Sequence, residues 1–138
     1  MEYIAKITKE DDGYTVEFPD IPGCYTCGDS LDEALTMAED ALYAVLYAKL
    51  EDKDPLPTAT LKEDKKNGFY AIQVRGRLAL AYTIFEARRG KSAASLCQKM
   101  GITRQAYQKI EDPNAGITFA TLEKLAAALG KKLEIKFV

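Results

Sequence analysis

Four side chains between positions 104 and 109 have the right chemistry to read nucleic-acid bases: Arg104, Gln105, Gln108 and Lys109. Arg and Lys hydrogen-bond the guanine edge in the major groove, and Gln pairs with adenine. Other chemistry is poorly supplied. The 138 residues contain no His, so the commonest general base is missing. Cys24-Tyr25-Thr26-Cys27 is a CxxC, but only Cys97 could join it as a third sulfur ligand. On a strand, a spacing of three also sends the two sulfurs to opposite faces. A carboxylate cluster for a hydrolytic Mg²⁺ is not expected either. The first strand carries no acid between Tyr3 and Thr8, and Asp11, Asp12, Asp20 and Asp29 fall in turns. The expectation is a binding protein with no catalytic residues, no metal and no cofactor.

Two short helices must hold the base-reading residues. Ser92 is a suitable N-cap, and Ala93, Leu96, Cys97 and Met100 follow at helical spacing on one apolar stripe. Gly101 sits where a helix needs a left-handed residue to stop. Thr103 caps a second helix with Tyr107 and Ile110 inward, and Pro113 ends it near Glu111. Arg104, Gln105 and Gln108 are assigned to base readout, and Lys99 and Lys109 to phosphate. Ser92 and Thr103 complete the expected DNA-facing set.

This segment resembles the Cro-type helix-turn-helix family, through Leu96-Cys97, Gly101-Ile102-Thr103 and Ile110-Glu111 at the family's offsets. One position departs from it. Ala93 stands where the family usually places a Gln that reaches a phosphate.

The net charge of −2 conceals a division. Residues 1–64 hold five Lys against sixteen Asp and Glu, a net −11. Residues 65–138 hold fourteen Lys and Arg against five acids, a net +9. The basic half suits a polyanion and the acidic half a basic partner. No apolar run reaches the length of a membrane span and no secretory leader pattern opens the chain, so a cytoplasmic protein is expected. The odd Cys count argues against a disulfide framework.

The acidic half reads as strand, strand, strand, helix, strand. Tyr3 to Thr8 places Tyr3, Ala5 and Ile7 on one face, and Asp12-Gly13 signals a hairpin into Tyr14, Val16 and Phe18. Cys24 to Gly28 makes a third strand. Ser30 with Glu33 forms a capping box for a long amphipathic helix, and Phe69 to Val74 is the fourth strand. The domain boundary is expected at Arg75, giving domains 1–74 and 75–138. In the second domain a helix over 79–89 precedes the helix-turn-helix, and Thr118 caps a later one. Lys132 to Val138 alternates Leu133, Ile135 and Phe137 with charged residues, the period of a half-buried strand.

Phe18-Pro19-Asp20-Ile21-Pro22-Gly23, the short strand, Gly28-Asp29-Ser30 and the Ala/Leu-rich helix together resemble the N-terminal domain of HicB-type antitoxins. That resemblance implies an α+β fold: a partial, inactive ribonuclease H-like sheet with one helix, then an all-α helix-turn-helix domain with a C-terminal strand. It implies two partners, a HicA-like toxin ribonuclease that cleaves messenger RNA and operator double-stranded DNA. Toxin contacts are expected at Glu17, Asp20, Ile21, Pro22 and Tyr25. A homodimer or dimer of dimers is expected, with Leu133, Ile135 and Phe137 at the interface, because a lone strand needs a partner for its backbone groups. The competing expectation is a transcription regulator whose N-terminal domain senses a small ligand.

Overall fold

A computed structural model describes residues 1–138 and divides them into two compact units, Met1–Ala79 and Leu80–Val138. The first unit is a four-stranded antiparallel sheet in the order β3-β2-β1-β4 with one long helix. Its strands are β1 (Glu2–Glu10), β2 (Gly13–Glu17), β3 (Tyr25–Gly28) and β4 (Phe69–Gln73), and α1 spans Leu31–Glu51. Ile7 pairs with Val16, Tyr3 with Ile72, and Tyr14 with Gly28. Strand alternation therefore gathers Tyr3, Ala5, Ile7, Val16, Gly28 and Ile72 on one face. That face meets Ala34, Ala38, Leu42 and Leu46 of α1, all four fully buried. The expected cap is present, with the Ser30 hydroxyl accepting the Glu33 amide at 3.1 Å.

A strap from residue 53 to 64 closes one side of the sheet. The Tyr3 hydroxyl donates to the Pro57 carbonyl at 2.7 Å, and Glu63 accepts the Ala71 amide on the outer edge of β4. A carboxylate on that N–H blunts an edge that would otherwise recruit another strand. A 3₁₀ turn forms at Lys65–Asn67, just before β4.

The helix α2 spans Gly76–Ala87, three residues earlier at its start than its apolar pattern suggested, and the division between the two units falls within it. The second unit continues with α3 (Ala93–Met100), α4 (Arg104–Glu111) and α5 (Phe119–Ala128). Its core is Ile84, Leu96, Cys97, Tyr107, Ile110, Leu125 and Leu129. Each helix starts on the cap read from the sequence: Ser92 for α3, Thr103 for α4, Thr118 for α5.

The C-terminal strand is not formed within one chain. Residues 131–138 join no ladder, and the only sheet belongs to the first unit. The physical reason is that the second unit has no other strand to supply hydrogen-bond partners.

Candidate nucleic-acid interface

The turn between α3 and α4 sets the geometry. Gly101 adopts φ 68° and ψ 36°, the left-handed conformation that costs a side chain about 1–2 kcal/mol, and its N–H closes on the Cys97 and Gln98 carbonyls. The Ile102 amide then returns to the Cys97 carbonyl at 3.1 Å. Tyr107 and Ile110 anchor α4 by burial, so the rest of the helix faces out. Arg104, Gln105, Gln108 and Lys109 are all exposed. Helical spacing arranges them in two adjacent stripes, Arg104 with Gln108 and Gln105 with Lys109.

The second stripe borders a groove of about 390 Å³ between α4 and the start of α5, lined also by Thr103, Ile117, Thr118 and Thr121. The Thr103 hydroxyl accepts the Ala106 amide, and the Ser92 hydroxyl accepts the Ser95 amide, so both oxygens serve as helix caps. Lys99 is placed differently. It borders a hollow with Met100, Lys124, Ala127 and Ala128, none of which belongs to α4. Ala93 packs half-buried against the core.

Sequence reading missed what braces α4. Arg88 at the end of α2 pairs with Glu111 in the last turn of α4, both side chains about four-fifths buried. Tyr107 lies against this pair, and burial followed by the Glu111 charge pushes its phenol well above its ordinary value. No local pattern links positions 23 residues apart, so only the fold reveals the pair.

The expected partner-facing residues of the first unit are brought together only in part. Glu17 and Tyr25 are direct cross-strand neighbours on β2 and β3, exposed on the sheet face away from α1. Pro22 is exposed as well. Ile21 is a correction: it is fully buried and offers no surface to a partner. Its N–H reaches the Phe18 carbonyl, while the Cys24 amide returns to the Ile21 carbonyl, which turns the side chain into the core. Cys24 is also buried, which pushes its thiol up to about 11, whereas Cys27 is exposed. A thiol so displaced is no nucleophile at neutral pH.

Asp20 works as a latch. Its carboxylate accepts the Thr60 amide at 2.7 Å and the Thr60 hydroxyl at 2.6 Å, tying the strap to the turn after β2. The hydroxyl bond, then the amide bond, hold the Asp20 carboxyl below its ordinary 3.8. The folded value is the depressed one, so the latch is intact above 3.8 and lost as pH falls through that lower value. Hydrogen exchange should show Thr60 amide protection falling in that acid window. An Asp20→Asn variant should show weakened protection already at neutral pH. Protection unchanged by either would remove the latch.

A second cluster lies on α1. Tyr43 and Tyr47 stack with centroids 5.9 Å apart. Arg75 lies over Tyr43 at 4.8 Å and pairs with Glu39, at 2.9 Å, and with Asp40. It thereby clamps the chain leaving β4 to α1.

Comparison with known proteins gives the family. Residues 3–101 match the family of HicB-like antitoxins of bacterial toxin-antitoxin systems, and residues 84–136 match a helix-turn-helix family. Antitoxin HicB 2 of Photorhabdus laumondii is 32% identical over 137 residues, covering 98% of this chain and 95% of that protein. Antitoxin HicB of Escherichia coli K12 is 27% identical over the whole of both chains. Among solved structures, a HicA3 and HicB3 toxin-antitoxin complex aligns at TM-score 0.44 and 26% identity, over 55% of this chain and all of that one. No helix is long and apolar enough to cross a membrane. The chain belongs to the family of HicB-like antitoxins of bacterial toxin-antitoxin systems, with a helix-turn-helix behind its sheet domain.

Proposed function

We propose that the chain binds and inhibits a small, basic, messenger-RNA-cleaving toxin of the HicA type, and represses its own operon by binding operator DNA. The observation that carries this reading is the pairing, in one chain, of a HicB-like unit with a helix-turn-helix whose outer face is Arg104, Gln105, Gln108 and Lys109. Opposite net charges of −11 before residue 65 and +9 after it support two partners of opposite sign. The toxin would meet the acidic part, with Glu17, Asp20, Pro22 and Tyr25 among its contacts. Arg104, Gln105 and Gln108 would reach base edges from the major groove, while Lys109, Lys99 and the helix starts at Ser92 and Thr103 would fix the phosphates. A homodimer or dimer of dimers would read two half-sites about 34 Å apart.

Growth reports on the first half of the proposal. A gene for a small basic toxin is expected beside this one; its product should arrest growth when expressed alone, and co-expression of the full chain should restore it. The two should co-purify, with an association rate that falls as salt rises, since steering between opposite charges is screened. No arrest, or arrest that the chain cannot relieve, would sink the antitoxin reading and favour a ligand-responsive regulator.

A further inference from the structure

The sheet of the first unit ends in two unlike edges. Backbone bonds fix which groups point outward at each. The Phe18 amide donates to the Cys24 carbonyl at 3.1 Å, and the register then pairs Val16 with Thr26 and Tyr14 with Gly28. In an antiparallel ladder every second residue exchanges bonds with its opposite. Cys24, Thr26 and Gly28 therefore turn their carbonyls to β2, and Tyr25 and Cys27 turn amide and carbonyl outward. At the other edge the Ile7 amide meets the Gly68 carbonyl and the Val74 amide meets the Met1 carbonyl, so Phe69 and Ala71 of β4 face outward. Both are already occupied. Phe69 exchanges two bonds with Asp64, at 2.9 Å each, and Glu63 accepts the Ala71 amide.

β3 has no such guard. It is an outermost strand, it carries neither a charge nor a proline, and no backbone bond closes its outer side. Tyr25 is 65% exposed and Cys27 is exposed. An open, uncharged edge is a template for one more strand.

The surroundings select which strand. From Glu10 to Ala48 the chain holds ten Asp and Glu and no Lys or Arg. That stretch includes β2, β3 and most of α1, the elements that pack around this edge. Glu17 stands across from Tyr25, Asp29 follows the strand, and Asp32 and Glu33 open α1, all of them exposed. A second copy would set acid against acid here, whereas a basic chain is drawn to the same surface.

We propose that the open edge of β3 takes an extended, basic segment of the toxin as a fifth strand. This rests on the reading of the chain as an antitoxin, and it specifies how the toxin is gripped. The amides and carbonyls of Tyr25 and Cys27 supply main-chain hydrogen bonds, the source of affinity in strand addition. The Tyr25 ring lies against the residue that the added strand sets opposite it. The acids around the edge steer the basic segment in and speed association more than they tighten the complex.

Amide exchange on the full chain, read residue by residue by NMR, tests the grip. The probe is the small basic toxin whose growth arrest this chain relieves. In the free chain the Tyr25 and Cys27 amides should exchange fast, and the Thr26 amide, which faces β2, slowly. With toxin bound, Tyr25 and Cys27 should slow by about tenfold or more, and Thr26 should change little. Amides at 25 and 27 that stay fast in the complex overturn the proposal. Protection of both before toxin is added overturns it too, and loss of that protection on dilution would identify a second copy as the occupant. The second experiment is Cys27→Pro. Proline is tolerated where a strand's N–H faces outward, so the ladder to β2 is kept. It removes one donor and puts a ring in the path of the incoming strand. Toxin affinity should fall on the order of a hundredfold, while thermal unfolding and operator affinity stay as in the parent chain. A folded Cys27→Pro chain that holds toxin as tightly as its parent overturns the proposal, and if the variant does not fold the exchange experiment decides. A parent chain that binds no toxin loses the antitoxin reading beneath it.

Discussion

Gly28→Ala should destabilise the first unit by about 3 kcal/mol, which for a domain of this size lowers Tm by on the order of 15 °C. The reason is space, not backbone conformation. A methyl at position 28 would stand 2.5 Å from the Ala34 nitrogen, 2.8 Å from its Cα and 2.9 Å from the Glu33 carbonyl carbon. All three are backbone atoms of α1, so no flexible side chain can yield. Relief requires moving α1 off the sheet, which strips cover from Ala34, Ala38, Leu42 and Leu46. Gly23 is the control. It has φ +84° yet nothing within 4 Å of an added methyl, so Gly23→Ala should cost only the left-handed penalty, about 1 kcal/mol. Hydrogen exchange in β3 and α1 separates the two. If Gly23→Ala proves the more damaging, close helix–sheet approach is not what position 28 provides.

Locally encoded features were legible in the sequence. Ser30, Ser92, Thr103 and Thr118 each cap the helix that follows, because a hydroxyl three residues before an amide needs no distant partner to act. The inward Tyr107 and Ile110 followed from period alone. Features joining distant residues were not legible. Arg75 with Glu39 and Asp40, Arg88 with Glu111, and Asp20 with Thr60 are each set by the fold bringing two segments together. Ile21 shows the same limit from the other side. Between Pro19-Asp20 and Pro22-Gly23 it reads as a surface position, and two backbone hydrogen bonds turn it inward. The C-terminal alternation was legible as a pattern, but pattern cannot supply the second strand.

The division of labour between the two units gives the other large effect. An Arg104→Ala, Gln105→Ala double variant should lose about 4 kcal/mol of operator affinity, on the order of a thousandfold, since each base-edge contact is worth about 1–3 kcal/mol. Folding should be spared. Both side chains are exposed, neither caps a helix, and Ala is at least as good a helix former. The core contacts of Tyr107 and Ile110 and the Arg88–Glu111 pair lie outside the substitution. Affinity for random DNA should fall much less, because sequence-independent binding comes from phosphate contacts. An equal loss on both DNAs would make these residues phosphate contacts instead. Toxin neutralisation is the second readout, and it should be unchanged, because the proposed toxin contacts lie in Met1–Ala79 and the altered residues in Leu80–Val138. Cells co-expressing toxin and the double variant should therefore grow while a reporter behind the operator is derepressed. If the variant folds and accumulates normally yet fails to rescue growth, DNA reading and toxin inhibition are not separable along this boundary.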